Sequence, residues 1–415
     1  TFLLFLKIKA TSKGRLIIEN IYFVMPVLGP TAIKLTLARF TRTLSTMIAN
    51  GIPLLDAVET MDRVIESEIL KMECRKIRES IQKGVGISEA AASGDFFPPL
   101  FVEMTAIGEE TGNLDDMLNK IADLYELPKE GAFNIRLNSQ SAARQNSKNV
   151  EIISKTDKSG IDIKVKSNTK GEKIHIPVVI NESGIEEVVY NDFYIGDNCD
   201  IEIVAGCGIH NDGCNTSRHD GVHAFHIGKN SKVSYTEKHY ADGENTGKKI
   251  MNPETVVNVG ENSECIMEMI QIGGLDSTFR NTVASLKDGA KLVITERLMT
   301  DNDQRADSDM TVNLDGFDSS AQIISRSVGK GNSVQVFKPN AIGNNACKAH
   351  IQCDSIIMDK AKISSVPEIT ANHPDAMLIH EAAIGRINND QLLKLMTLGI
   401  AEEDAQDVII QGFLK

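Results

Sequence analysis

Six soft or borderline metal donors fall within a stretch of 20 residues: Cys207, His210, Cys214, His219, His223 and His226. Thiolate and imidazole groups of this kind suit zinc, iron or copper. The stretch has no Cys-x-x-Cys pair, and its Gly, Asn and Asp residues would equally let the side chains hydrogen-bond within a polar loop. A metal or sulfur site and a polar loop are both open readings. A second constellation is Gln352-Cys353-Asp354 with Ile379-His380-Glu381. A thiolate beside an imidazole and a carboxylate can bind iron or carry sulfur, and a neighbouring cation lowers the thiol pKa; a buried structural cysteine is the alternative. The segment Gly243 to Lys249 has the look of a phosphate loop. It has three residues rather than four between its glycines, and Lys249 where Ser or Thr would hold magnesium, so it reads as a surface turn.

These groups need elements to position them, and the chain supplies two kinds. From Pro30 to about Glu126 apolar residues recur at helical spacing, as in Leu35, Leu37, Phe40, Leu44, Met47 and Ile48. Breaks at Gly51-Ile52-Pro53, Gly84 and Gly86, Pro98-Pro99 and Gly112 cut the stretch into about five helices, a bundle. Glu109 and Glu110 suit a solvated face, and Asp115 and Asp116 a helix start. Beyond Leu127 the pattern turns to short alternating strands between Gly, Asn, Asp and Ser turns. Turns at Gly196, Gly228 and Gly260, 32 residues apart, each lead into an alternating strand, with a looser copy at Lys287. A strand-and-turn repeat of this length predicts a β-helix, with a β-sandwich as the competitor. Cys353 and His380 are 27 residues apart, close to one repeat, which would bring equivalent positions on adjacent coils to about 5 Å. Helical patterns return at Asn389 and at Ala401–Leu414, either capping the solenoid or offering an interaction site.

All nine histidines lie between His175 and His380, and six of the seven cysteines between Cys199 and Cys353, so the two pieces differ in chemistry as well as texture. The 57 acidic against 44 basic residues give a net charge of -13, which repels phosphate backbones and excludes nucleic acid as the main partner. An odd number of scattered cysteines points to free thiols in a reducing, cytoplasmic setting. The apolar run at the start, Thr1 to Ile8, is too short to span a bilayer. It reads as a frayed terminus or as the tail of a membrane helix.

Two resemblances sharpen this reading. Residues about 15–126 resemble a cytoplasmic domain of the type II secretion F and type IV pilus platform (GspF/PilC) family. The text that carries it runs through Pro26 to Pro30, Ala38 to Ser45, Asn50 to Ala57, Phe97-Pro98-Pro99 and Gly108 to Leu114. The resemblance implies a six-helix bundle that in full-length relatives sits between membrane helices; membrane association of this chain is not expected. Residues about 120–415 resemble the SufB/SufD family of iron-sulfur cluster assembly proteins. The matching text includes Glu130 to Asn134, Asn191 to Gly196, Ala205 to His210, Ser325 to Val328, Cys353-Asp354, Pro367 to Asn372, His380 to Gly385 and Gln391 to Gly399. This implies a right-handed parallel β-helix, a homodimer or SufB/SufD-type heterodimer, and a separate SufC-like ABC ATPase docked on the terminal helices. It also implies a transient iron-sulfur cluster held by Cys353 with His380 and Glu381, with Cys207 as a possible sulfur acceptor.

The expected fold is therefore a multidomain α and β chain, an N-terminal helical bundle followed by a parallel β-helix with C-terminal helices. Its parts are a membrane-helix remnant and linker at 1–14, the bundle at 15–126, the β-helix at 127–375 and a strand with helices at 376–415, with the junction inside 117–130. The expected function is a non-enzymatic scaffold for cluster assembly. The alternatives are a secretion or pilus platform fragment, or a chimera without function.

Overall fold

The computed structural model describes residues 28–414 apart from Glu66, Asp95, Asn113, 126–130, 244 and 245. The membrane-helix remnant expected at 1–14 lies outside the described residues. The chain divides into two compact units, one ending at Leu127 and the other starting at Pro128.

The first unit holds α1 (Leu28–Ala49), α2 (Leu54–Val64), α3 (Glu68–Gln82), α4 (Ile87–Ala92), α5 (Pro99–Thr111) and α6 (Leu114–Tyr125). That is one helix more than the punctuation alone suggested, because the short α4 carries no long apolar stripe. Its start is set from outside: the Glu109 carboxylate on α5 accepts from Ile87 N at 2.6 Å and Ser88 N at 3.0 Å. Glu109 thus caps a neighbouring helix rather than simply facing solvent, using the anion preference of a helix N-terminus. Gly86 precedes α4 because a Cβ there would lie 2.8 Å from that carboxylate. The helices close on Leu37, Phe40, Leu44, Met61, Phe101 and Leu118, all at most 1% exposed. Helix α6 packs on α1 and α5, so the junction helix belongs to this unit.

The second unit is a parallel β-solenoid of about eight turns. One sheet begins with the hairpin β1 (Ala132–Leu137) and β2 (Gln140–Gln145). It then stacks β5 (Lys170–Ile180), β7 (Asp200–His210), β9 (Lys232–Asp242), β12 (Glu264–Ile272), β14 (Lys291–Thr300), β16 (Ser319–Gly329), β18 (Cys347–Ile357) and β21 (Met377–Gly385). The opposite sheet begins with the hairpin β3 (Val150–Ser154) and β4 (Gly160–Val165). It continues through β6 (Glu186–Ile195), β8 (Ser217–Ile227), β10 (Lys249–Met251) with β11 (Glu254–Val259), β13 (Ser277–Leu286), β15 (Arg305–Leu314) and β17 (Val334–Gly343). It ends at β19 (Lys362–Ser365) and β20 (Glu368–Ala371). Every pairing beyond the two starting hairpins is parallel, which excludes a sandwich.

The 32-residue repeat is the coil itself: Asp200 pairs with Lys232 and Lys232 with Glu264. Each of these turns passes through a left-handed Asn, at Asn198, Asn230 and Asn262 with φ of 56°, 54° and 53°, a conformation Asn tolerates better than most residues. A serine ladder links them. Ser231 Oγ accepts from Cys199 N at 2.9 Å, Ser263 Oγ accepts from Ser231 N at 2.9 Å and Ser263 Oγ donates to Gly228 O at 2.6 Å. Inside, Phe193 and Phe225 on adjacent coils stack at 4.4 Å, within a continuous core of Ile, Val, Leu and Met. The terminal helices are α7 (Asn389–Thr397) and α8 (Glu402–Leu414). Ile410 and Leu414 of α8 pack with Val328, Met299 and Ile356, so α8 lies along the solenoid rather than over the free edge of β21.

Ser263→Ala removes the acceptor for a buried Ser231 N–H. We expect it to destabilise the β unit by about 1–3 kcal/mol, measured as a shift of the β-sheet unfolding transition in denaturant; a change within about 0.5 kcal/mol would show that the ladder is ornamental.

Candidate functional site

Strand β18 alternates between inside and outside, with Cys347, Ala349, Ile351 and Cys353 buried. Cys353 is only 2% exposed. Burial pushes its thiol pKa up, and the Asp354 and Glu296 carboxylates add to the rise. The resting thiol is therefore protonated at neutral pH, and a bound metal ion would have to displace the proton.

The next strand of this sheet, β21, pairs Cys353 with Ala382, Ile351 with His380 and Gln352 with Glu381. The step between coils here is thus 29 residues rather than the 27 anticipated, because the connection through β19 and β20 is longer. Cys353 and His380 are not direct neighbours; strand spacing and rise put their Cα atoms roughly 8 Å apart. The two-residue difference is even, so His380 keeps the inward face of Cys353. His380 Nε2 is buried without a hydrogen-bond partner among the described residues, where buried polar atoms are ordinarily paired. Ala382, beside Cys353, is exposed, so the inner face opens to solvent at this last coil. Glu381 is one residue out of phase and points outward. It is 59% exposed and its Oε1 lies 3.1 Å from His350 Nε2.

The six donors between Cys207 and His226 do not converge. Cys207 faces inward from β7 and its thiol is pushed well above the ordinary value, first by burial and then by Glu237 and Glu187. His210, three residues on, points outward, with Nδ1 2.7 Å from Asp242 and Nε2 2.8 Å from Asp212. Cys214 is exposed. His219 and His223 face inward from β8, while His226 faces outward and stacks on Tyr194 at 5.0 Å. Among the described residues no group of three His, Cys, Asp or Glu side chains is placed to hold a metal ion.

The inward histidines instead join a buried polar chain. His219 Nδ1 meets Glu187 at 2.9 Å, and His223 Nδ1 meets Tyr235 OH at 2.7 Å. Tyr235 OH donates to Glu237 at 2.9 Å, Arg280 Nη1 donates to Glu237 at 2.6 Å, and Ser308 Oγ donates to Glu296 at 2.9 Å. Arg280 Nε also lies 3.4 Å from Glu296. Burial lowers the His223 pKa to about 4, so the ring is neutral. Burial alone would raise Glu237, but His239 and Arg280 hold it well below the usual carboxylate range. Glu237, His239, Arg280 and Glu296 were not singled out from the sequence. Their signal was parity: Glu237 and His239 continue the inward phase of Val233 and Tyr235.

Comparison with known proteins gives two matches. The family model for the SUF system FeS cluster assembly SufBD core domain matches residues 184–413, and that for type II secretion system protein F matches 40–141. A SufBD family iron-sulfur cluster assembly protein of Archaeoglobus fulgidus is 26% identical over 59% of this chain and 66% of its own length. Its counterpart in Methanocaldococcus jannaschii is 28% identical over 58% and 76%. The type IV pilus assembly protein PilC of Myxococcus xanthus is 38% identical over 29% of each chain. The chain thus spans just under two thirds of the Archaeoglobus relative and under a third of the pilus protein.

The inner network sets a pH response. Burial raises Glu187, but hydrogen bonds from His219 and Arg136 bring its pKa from 4.5 down to about 2. A carboxylate whose pKa is lower folded than unfolded adds stability above the unfolded value and loses it as pH falls through the folded one. Glu187→Gln should therefore flatten the decline in denaturant midpoint between about pH 4.5 and pH 2; an unchanged acid slope would contradict this assignment.

Proposed function

Because the chain belongs to the SufBD family of iron-sulfur cluster assembly proteins, we propose that its solenoid is a scaffold on which iron and sulfide are gathered as cargo. Cys353 and His380 are the proposed donors. What supports this most directly is the shared inward face of the two residues at an open last coil, with His380 Nε2 buried and unpartnered. Thiolate sulfur and imidazole nitrogen suit iron in a cluster. Glu381 faces outward beside His350, and its part in the proposal is secondary.

Two donors per chain fall short of the roughly four that a cluster uses, and a second copy would supply the rest. Strands β21 and β19 end their sheets, and Met377 and Ile379 are 59% and 56% exposed. An edge of this kind invites pairing, which favours a dimer joined there. The exposed Leu393, Leu398 and Val408 of the terminal helical segment fit docking of a separate SufC-like ATPase, which would place ATP hydrolysis on the partner and leave this chain a non-enzyme. Seven free cysteines fit work in a reducing, cytoplasmic compartment. A second reading rests on the first unit alone, whose likeness to the pilus protein favours a platform-type role for the helices. No helix among the described residues is long and apolar enough to cross a membrane.

Anaerobic reconstitution with iron and sulfide should give cluster absorption in the full chain. Cys353→Ala should lower the bound iron by about tenfold or more, and His380→Ala should weaken retention against a chelator. Undiminished uptake by Cys353→Ala would remove that residue from the site. For assembly, sedimentation should show a dimer that Ile379→Glu converts to a folded monomer; a parent chain that is monomeric at every concentration overturns the dimer.

A further inference from the structure

At the beginning of the solenoid, far in sequence from Cys353, a cavity of about 170 Å³ is lined by Arg136, Arg144, Lys155 and Lys158. Three serine hydroxyls, Ser141, Ser154 and Ser159, and the amides of Asn134 and Asn191 complete its polar wall, and among the described residues no Asp or Glu lines it. In a chain carrying a net charge of -13, four cations around one small space are an unusual concentration of positive charge.

The four cations are not equally neutralised. Arg136 pairs with Glu187, and Lys155 pairs with Asp162 and, at 2.7 Å, Asp192. Those carboxylates do not line the cavity. Among the described residues Arg144 donates only to neutral oxygens, Nε to Asn134 Oδ1 at 2.9 Å and Nη1 to Ser154 Oγ at 2.9 Å. Burial lowers its pKa, as expected for a desolvated cation without a counter-charge. Lys158 Nζ sits 4.1 Å from the centre of the Tyr190 ring and forms no ion pair among the described residues. Two unneutralised cations thus face a space holding about five water volumes, well below a pocket for a nucleotide-sized ligand. Most of the wall, from Arg144 to Val178, lies between the stretches matched by the two family models.

We propose that this cavity binds a small divalent tetrahedral oxyanion, of the phosphate or sulfate type, through Arg144 and Lys158 with the serine hydroxyls as further donors. A planar guanidinium with unused N–H groups and an ammonium opposite match the charge and acceptor count of such an anion. The anion also supplies the counter-charge that Arg144 lacks, tying the two starting hairpins to the first full coil.

Isothermal titration of the full chain with sodium phosphate and with sodium sulfate, against sodium chloride at equal ionic strength, tests this. Saturable binding of phosphate and sulfate is expected, weakened about tenfold or more by Arg144→Gln and also weakened by Lys158→Gln. Lys229→Gln, which removes an exposed charge two coils on, should bind like the parent. Lys158→Gln leaves the hydrogen bonds of Arg136, Arg144 and Lys155 in the wall in place, so it remains decisive if Arg144→Gln does not fold. Oxyanion heats equal to those of chloride, or binding unchanged in Lys158→Gln, overturn the proposal.

Discussion

Everything in the second unit depends on coils stacking through parallel backbone hydrogen bonds. Once a strand is paired to its predecessor, alternation decides which side chains are enclosed and which meet water. Coil lengths vary, from 32 residues between Asp200 and Lys232 to 27 between Glu264 and Lys291. The turns absorb this variation and leave the inward phase of each strand intact. That is why a left-handed Asn recurs at Asn198, Asn230 and Asn262, and why inner columns hold shape-matched pairs such as Phe193 over Phe225.

The same constraint explains the polar interior. Enclosed positions usually take Ile, Val, Leu or Met, yet Glu237, His239 and Glu296 occupy them on one sheet and His223 and Arg280 on the other. Burying charges is seldom a net gain in stability. What a shared guanidinium does here is fix how the two sheets slide against each other, because Arg280 meets Glu237 and Glu296 from the opposite wall. Removing one member would strand the others.

The repeat, the change from helices to strands and the break near residue 127 were all legible in the sequence, since each is a matter of period and punctuation. The short helix α4 was not, because a carboxylate on another helix starts it. The late coils show the limit most clearly. Residues 353 and 380 looked like equivalent positions, but a longer connection set the step at 29 and moved Ala382 opposite Cys353. Spacing parity would have separated Cys207 from His210 and His223 from His226 had the strands there been drawn at full length. Instead the glycines between them read as loop. No pattern in the sequence marks the basic cavity, whose cations come from β1, β2 and the turn between β3 and β4, brought together only by folding.

The two ends of the solenoid are unlike. It begins with hairpins in which β2 and β3 run against the direction of the coils, and it finishes with strands still aligned to the stack. A following molecule therefore meets reversed strands at the beginning rather than a continuation of the parallel ladder, which works against head-to-tail growth into a filament. The proposed association through the finishing strands would use the same edge on both molecules and saturate at two. A reversed start thus makes the two ends poor templates for each other, which lessens the hazard that a parallel edge at the finish carries for open-ended polymerisation.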